Sequence, residues 1–147
     1  MTSMQTSQAQ RLLQFGVALF LLGLVTGLAV SQTANPRMAL ASHIEAVMNG
    51  TFLIALGLLW PKLVLPPRQL AAAFWLVIYG TFANWAATLL AAVWAAGNEM
   101  MPQAARGRAG TQMQEMLINT LLITLAIAMI TACVLILAGL RRQKTQN

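Results

Sequence analysis

The chain has 147 residues, 59% of them hydrophobic and only 8% charged, and its mean hydropathy is +0.70. That composition excludes a soluble globular domain of ordinary make-up and leaves an integral membrane protein. The net charge of +6 does not point to nucleic acid, because the nine basic residues stand at the ends of apolar runs rather than on a polar face interleaved with aromatics.

A helix needs about 20 apolar residues to cross a hydrocarbon core ~30 Å thick. Four runs in this chain meet that length. Residues 1–10 are polar and carry no ionisable side chain. The first run, about 11–30, is longer than the ~7–15 residues of a signal-peptide core and has no small-residue cleavage site after it, so a retained span is predicted. Gly23 and Gly27 within it have the GxxxG spacing that lets helices approach closely. Asn35-Pro36 marks a break, since the residue before proline avoids the helical region. The second run covers about 39–60, with Trp60 and Lys62 suited to an interfacial belt. Pro66-Pro67 stops any helix, and the third run covers about 69–96. A polar loop over 97–111 with Pro102, Gly107 and Gly110 follows, and the fourth run covers about 112–140. The basic tail from Arg141 to Asn147 is expected to be disordered at its end. The fold class is therefore all-α, an integral membrane four-helix bundle, with residues 1–147 forming one membrane domain.

Arg11, Lys62, Arg68, Arg141, Arg142 and Lys144 fall on the side of both termini, and Arg37, Arg106 and Arg108 on the other. Six against three orients both termini toward the cytoplasm, with the protein in the cytoplasmic membrane. All three acidic residues, Glu45, Glu99 and Glu115, then lie on or near the outer side, and a pocket is expected to open there or toward the membrane at that level. Cys133, the only cysteine, is read as a small packing residue in the last span.

Polar side chains at membrane depth are costly and mark functional sites by default. The densest group is Ser42-His43-Ile44-Glu45-Ala46-Val47-Met48-Asn49-Gly50, early in the second span. At about 100° per residue, Glu45 and Asn49 share a face, while His43 and Asn49 point about a third of a turn apart, so this helix has two polar faces. One suits the bundle interior and the other a neighbouring subunit or cofactor. His43 reads either as a histidine bonded to a carbonyl or as an axial ligand. Glu45 reads either as a proton donor or shuttle, or as the partner of Arg37. Asn49 and Asn84 offer donor and acceptor together and suit either a polar substrate group or interhelical contacts. Thr81, Asn84 and Thr88 form one stripe on the third span. Tyr79, Phe82 and Trp85 are candidates to line a slot for a flat ring.

The segments Asn35-Pro36-Arg37-Met38, Ser42-His43 through Asn49-Gly50-Thr51-Phe52, and Tyr79-Gly80-Thr81-Phe82-Ala83-Asn84-Trp85-Ala86-Ala87-Thr88 resemble the hydroxylaminobenzene mutases. Arg11-Leu12-Leu13-Gln14-Phe15-Gly16 and Leu21-Leu22-Gly23-Leu24 extend the likeness to about residues 11–140. It implies isomerisation of an N-aryl hydroxylamine to a 2-aminophenol, a Bamberger-like rearrangement without net redox change. The chain is also distantly similar to styrene oxide isomerase, a four-span enzyme that forms trimers and holds haem b through a histidine followed six residues later by an asparagine. His43 and Asn49 match that pair. The resemblance therefore implies haem b on His43, with Glu45, Asn49, Asn84 and Tyr79 as candidate catalytic groups, in a homo-oligomer favoured as a trimer and acting on a small aromatic substrate. The isomerase's third-span aspartate and tyrosine fall opposite Gly80 and Thr88, and Tyr79 or Glu45 is the candidate replacement. The alternatives are a small transport or channel subunit, an assembly subunit, or an epoxide isomerase.

Overall fold

In the computed structural model, which describes residues 3–143, the chain forms four long helices and one short one. Lys144 and the end of the tail lie outside the described residues. Among the described residues there is no strand. The helices are α1 (Ser3–Leu28), α2 (Pro36–Leu59), α3 (Pro67–Trp94), α4 (Pro102–Ala105) and α5 (Gln112–Gln143). All but α4 are long and apolar enough to cross a membrane, which makes the protein an all-α membrane bundle.

Proline chemistry sets the starts of α2 and α3. Asn35 caps α2 by accepting from the Met38 amide at 3.3 Å, and Pro36 occupies a first-turn position, where its missing N–H costs nothing. Pro67 does the same for α3, which ends at Ala95 in the left-handed conformation. α1 begins well before the apolar run because its polar first turns are used. The Gln5 amide donates to the carbonyls of Trp60 and Leu63 at 2.9 and 3.1 Å, and the Trp60 indole donates to Gln8 at 3.2 Å. Those bonds satisfy the turn between α2 and α3, where backbone groups would otherwise go unpaired in an apolar setting.

The same bonds fix the topology. The start of α1, the α2–α3 turn and the end of α5 lie together, since the Val64 amide also donates to the Gly139 carbonyl at 3.2 Å. At the opposite end, the α1–α2 turn meets the 97–111 loop, where Asn35 donates to the Ala104 carbonyl at 3.1 Å. α1, α2 and α3 form a trio around Leu12, Leu19, Leu53, Trp60, Phe74 and Val77. Gly16 and Gly50 bring α1 and α2 close: a Cβ on either would come within 2.8 Å of the other's carbonyl oxygen. α5 packs chiefly on α3, through Ile118, Ala128 and Ala132, and leaves most of its apolar surface uncovered.

Candidate functional site

The two polar faces of α2 meet different neighbours. His43 turns toward α1, where its Nδ1 lies 2.7 Å from the carbonyl oxygen of Gly23. A carbonyl only accepts, so Nδ1 carries the proton and Nε2 keeps the free lone pair. Gly27 makes room for the ring: a Cβ there would stand 2.7 Å from Nδ1 and 3.0 Å from Cε1. The GxxxG pair of α1 thus acts as a seat for the imidazole, with Gly23 supplying the acceptor and Gly27 the space.

The other face of α2 turns toward α3. Ser42 is fully buried and donates to the Trp85 carbonyl at 3.1 Å. Glu45 meets Thr88, whose hydroxyl lies 2.9 Å from its Oε2 and 2.9 Å from the Asn84 carbonyl. That hydroxyl has one proton for both acceptors. It donates to Glu45 when the carboxyl is ionised and to the Asn84 carbonyl when the carboxyl carries a proton. The pair accommodates both states, as a group that hands over a proton must. The alternative of a Glu45–Arg37 ion pair is not what forms.

Asn49 follows Glu45 on the same strip of α2, and Asn84 precedes Thr88 by one turn on α3. Both are half-buried, and neither carboxamide has a hydrogen-bond partner among the described residues. Below Asn49 the strip continues as Phe52, Leu56 and Leu59. These three form one wall of an apolar cavity of about 280 Å³ whose other wall is Cys133, Ile136 and Leu137 of α5. The cavity lies toward the end that carries the termini. Cys133 is exposed there rather than packed away. The structure therefore joins Glu45 to Thr88 across α2 and α3, with Asn84 one turn before Thr88 on α3 and Asn49 on the strip of α2 that leads from Glu45 to the apolar wall of Phe52, Leu56 and Leu59.

The imidazole lies about 120° around α2 from Asn49, on the separate face that the spacing predicts. Two sequence expectations need correction. Tyr79 is elsewhere. It is 42% exposed and bonded to Thr124 of α5 at 2.6 Å, a half-turn around α3 from Thr88. Nor do Tyr79, Phe82 and Trp85 line one slot. Phe82 packs edge-on against Phe15 with ring centroids 6.0 Å apart, and the Trp85 indole donates to Thr26 at 3.1 Å, both on α1. The remaining acids are taken up by the loop. Glu115, 5% exposed, accepts from the amides of Gly97 and Gly110 at 2.8 and 2.9 Å, and Glu99 accepts from Asn119. Sequence reasoning missed Thr88 as the partner of Glu45, although the Thr81–Asn84–Thr88 stripe carried the signal. The Gly23 carbonyl was invisible to it, because every residue has one.

The fold and the site together define a four-helix membrane protein that holds a carboxyl–hydroxyl pair and two unpaired carboxamides within its apolar helices. The family model for styrene oxide isomerase matches residues 8–141. The chain is 56% identical over 133 residues to hydroxylaminobenzene mutase HabB of Ectopseudomonas oleovorans, covering 90% of this chain and 81% of that protein. It is 48% identical over 127 residues to hydroxylaminobenzene mutase HabA of the same organism, covering 86% and 94%. No solved structure matches the chain. The chain belongs to the styrene oxide isomerase family, and it is an isomerase.

Proposed function

We propose that the protein converts N-aryl hydroxylamines such as hydroxylaminobenzene to 2-aminophenols within the cytoplasmic membrane, with both termini on the cytoplasmic side. The observation that carries this reading is the identity to HabB and HabA over nearly the whole chain. In the reaction the N–O bond breaks, a C–O bond forms at the ortho carbon, and the proton lost from that carbon is balanced by one gained at nitrogen, so composition is unchanged. The groove supports each demand. Glu45, relayed by Thr88, protonates the departing oxygen, and Asn49 and Asn84 hold the hydroxyl. The Phe52 and Leu56 wall keeps the aromatic ring from water, which would otherwise quench a cationic ring at the para carbon.

The residues around His43 fit haem b. Among the described residues no three His, Cys, Asp or Glu side chains come together, so side chains alone offer no ligand set, whereas haem would need only one nitrogen from the protein. Nε2 of His43 would supply it, because Nδ1 is committed to Gly23 in the manner that orients metal-bound imidazoles. Held by His43, the group would supply Lewis acidity to the site. His43 and Asn49 face different neighbours, so a centre that uses both is completed by a second copy of the chain. The uncovered length of α5 is in keeping with a homo-oligomer, and the resemblance favours a trimer.

The test is product analysis of the purified protein with hydroxylaminobenzene and with styrene oxide, alongside an absorption spectrum. 2-Aminophenol from the first substrate is expected, with a Soret band that His43→Ala abolishes. An aldehyde from styrene oxide and no aminophenol would transfer the assignment to epoxide isomerisation. A Soret band unchanged in His43→Ala would remove His43 as the ligand.

A further inference from the structure

A second site stands at the opposite end of the molecule from the termini. Where the α1–α2 turn meets the 97–111 loop, Asn35, Pro36, Arg37, Arg106 and Arg108 line a cavity of about 320 Å³. Three of the nine basic residues of the chain thus converge on one hollow. We propose that this hollow binds the phosphodiester headgroup of an anionic membrane phospholipid.

The charge there has no internal counterpart. The chain has only three acidic side chains, and all of them are hydrogen-bonded elsewhere: Glu45 to Thr88, Glu115 to loop amides and Glu99 to Asn119. The guanidinium groups of Arg37 and Arg106 have no hydrogen-bond or ion-pair partner among the described residues. Gathering guanidinium groups raises their mutual repulsion, which an anion relieves, and their planar forks match phosphate oxygens.

The hollow is also built rather than incidental. Its floor, Asn35, is 3% exposed and fastened on both sides, by the Asn35 amide to the Ala92 carbonyl at 2.9 Å and by its carboxamide to the Ala104 carbonyl at 3.1 Å. Arg108 ties the two loops together through the Ala34 carbonyl. Arg106 is held in the left-handed conformation, φ 53°, by its amide bond to the Pro102 carbonyl at 3.0 Å. The site stands at the first residue of the apolar helix Pro36–Lys62, which is long enough to cross a membrane, and lipid phosphates lie at the ends of such helices. A lipid, tethered there by its own acyl chains, is therefore the occupant favoured over a soluble phosphate.

Native mass spectrometry and thermal melts of the full-length protein in detergent test this with phosphatidylglycerol, phosphatidylcholine and inorganic phosphate. Arg37→Gln with Arg106→Gln is the variant pair, because both side chains are exposed and bear no structural bond; Arg108 is left intact for its link to Ala34. The wild type is expected to retain phosphatidylglycerol over phosphatidylcholine and to melt higher in its presence. The double variant is expected to lose about tenfold or more of that retention, while melting like the wild type without lipid. Equal retention of the two lipids by the wild type, or undiminished phosphatidylglycerol retention by the variant, overturns the proposal. So does stabilisation by inorganic phosphate equal to that by phosphatidylglycerol, which would make the site one for a soluble anion.

Discussion

His43 has its chemistry set by two residues of another helix. The Gly23 carbonyl decides which imidazole nitrogen is free, and Gly27 decides whether the ring fits. Gly27→Ala is therefore expected to force the ring from its seat, with an overpacking cost of about 1–3 kcal/mol, and, on the proposal that His43 holds haem, to lower haem content and shift the Soret band. A normal spectrum in that variant would show that the seat is dispensable. On the other face, Glu45→Gln is expected to lower kcat by about 100-fold or more, with KM little changed, as for loss of a general acid. Thr88→Val preserves shape and removes the relay, so a smaller fall in kcat is expected; a change confined to KM would assign the pair to binding instead. At this scale His43, Glu45, Asn49 and Asn84 were legible, because polar groups in an apolar run stand out. The side on which Tyr79 falls was not. Each three-residue step stops about 60° short of a full turn, so Tyr79, Phe82 and Trp85 spiral around α3 from α5 toward α1.

Helix ends carry the next level of organisation. Apolar length alone puts the start of α1 near residue 11, yet the helix extends back to Ser3 because Gln5 and Gln8 satisfy the Trp60 turn. Long-range pairings of this kind leave no periodic trace in a sequence. The 97–111 loop likewise reads as an unstructured polar segment, but α4 and the carboxylate of Glu115 organise it. That carboxylate gathers the amides of Gly97 and Gly110, and its removal strands buried donors at about 1–3 kcal/mol each. Glu115→Ala is expected to lower the melting temperature of the detergent-solubilised protein clearly, and Glu115→Gln, which retains one acceptor oxygen, to do so less. Equal melting of both variants and the wild type would mean that the loop is held by other contacts. The Asn35-Pro36 break, in contrast, was readable outright, since cap and proline are local chemistry.

Taken as a whole, the molecule is lopsided. Three helices share a core, while α5 leans on α3 with much of its surface open. Composition and run length were enough to indicate four spans of helix; which helices touch was not, because apolar residues face lipid and protein alike. The separation of His43 from Asn49 makes a prediction for the assembly. On the proposal that a centre using both residues is shared between copies, chains bearing His43→Ala and chains bearing Asn49→Ala, each inactive alone, are expected to regain activity when co-expressed, because a mixed oligomer would hold intact pairs across some contacts between copies. Complementation that fails in verified mixed oligomers would confine the reaction to one chain.

Cys133 gives the groove a built-in reporter. Nature has left this sequence with one sulfhydryl, and it stands exposed on the wall of the α2–α5 cavity. A maleimide dye attached there needs no engineered background, and the rate at which it attaches becomes a direct readout of whether that cavity is filled.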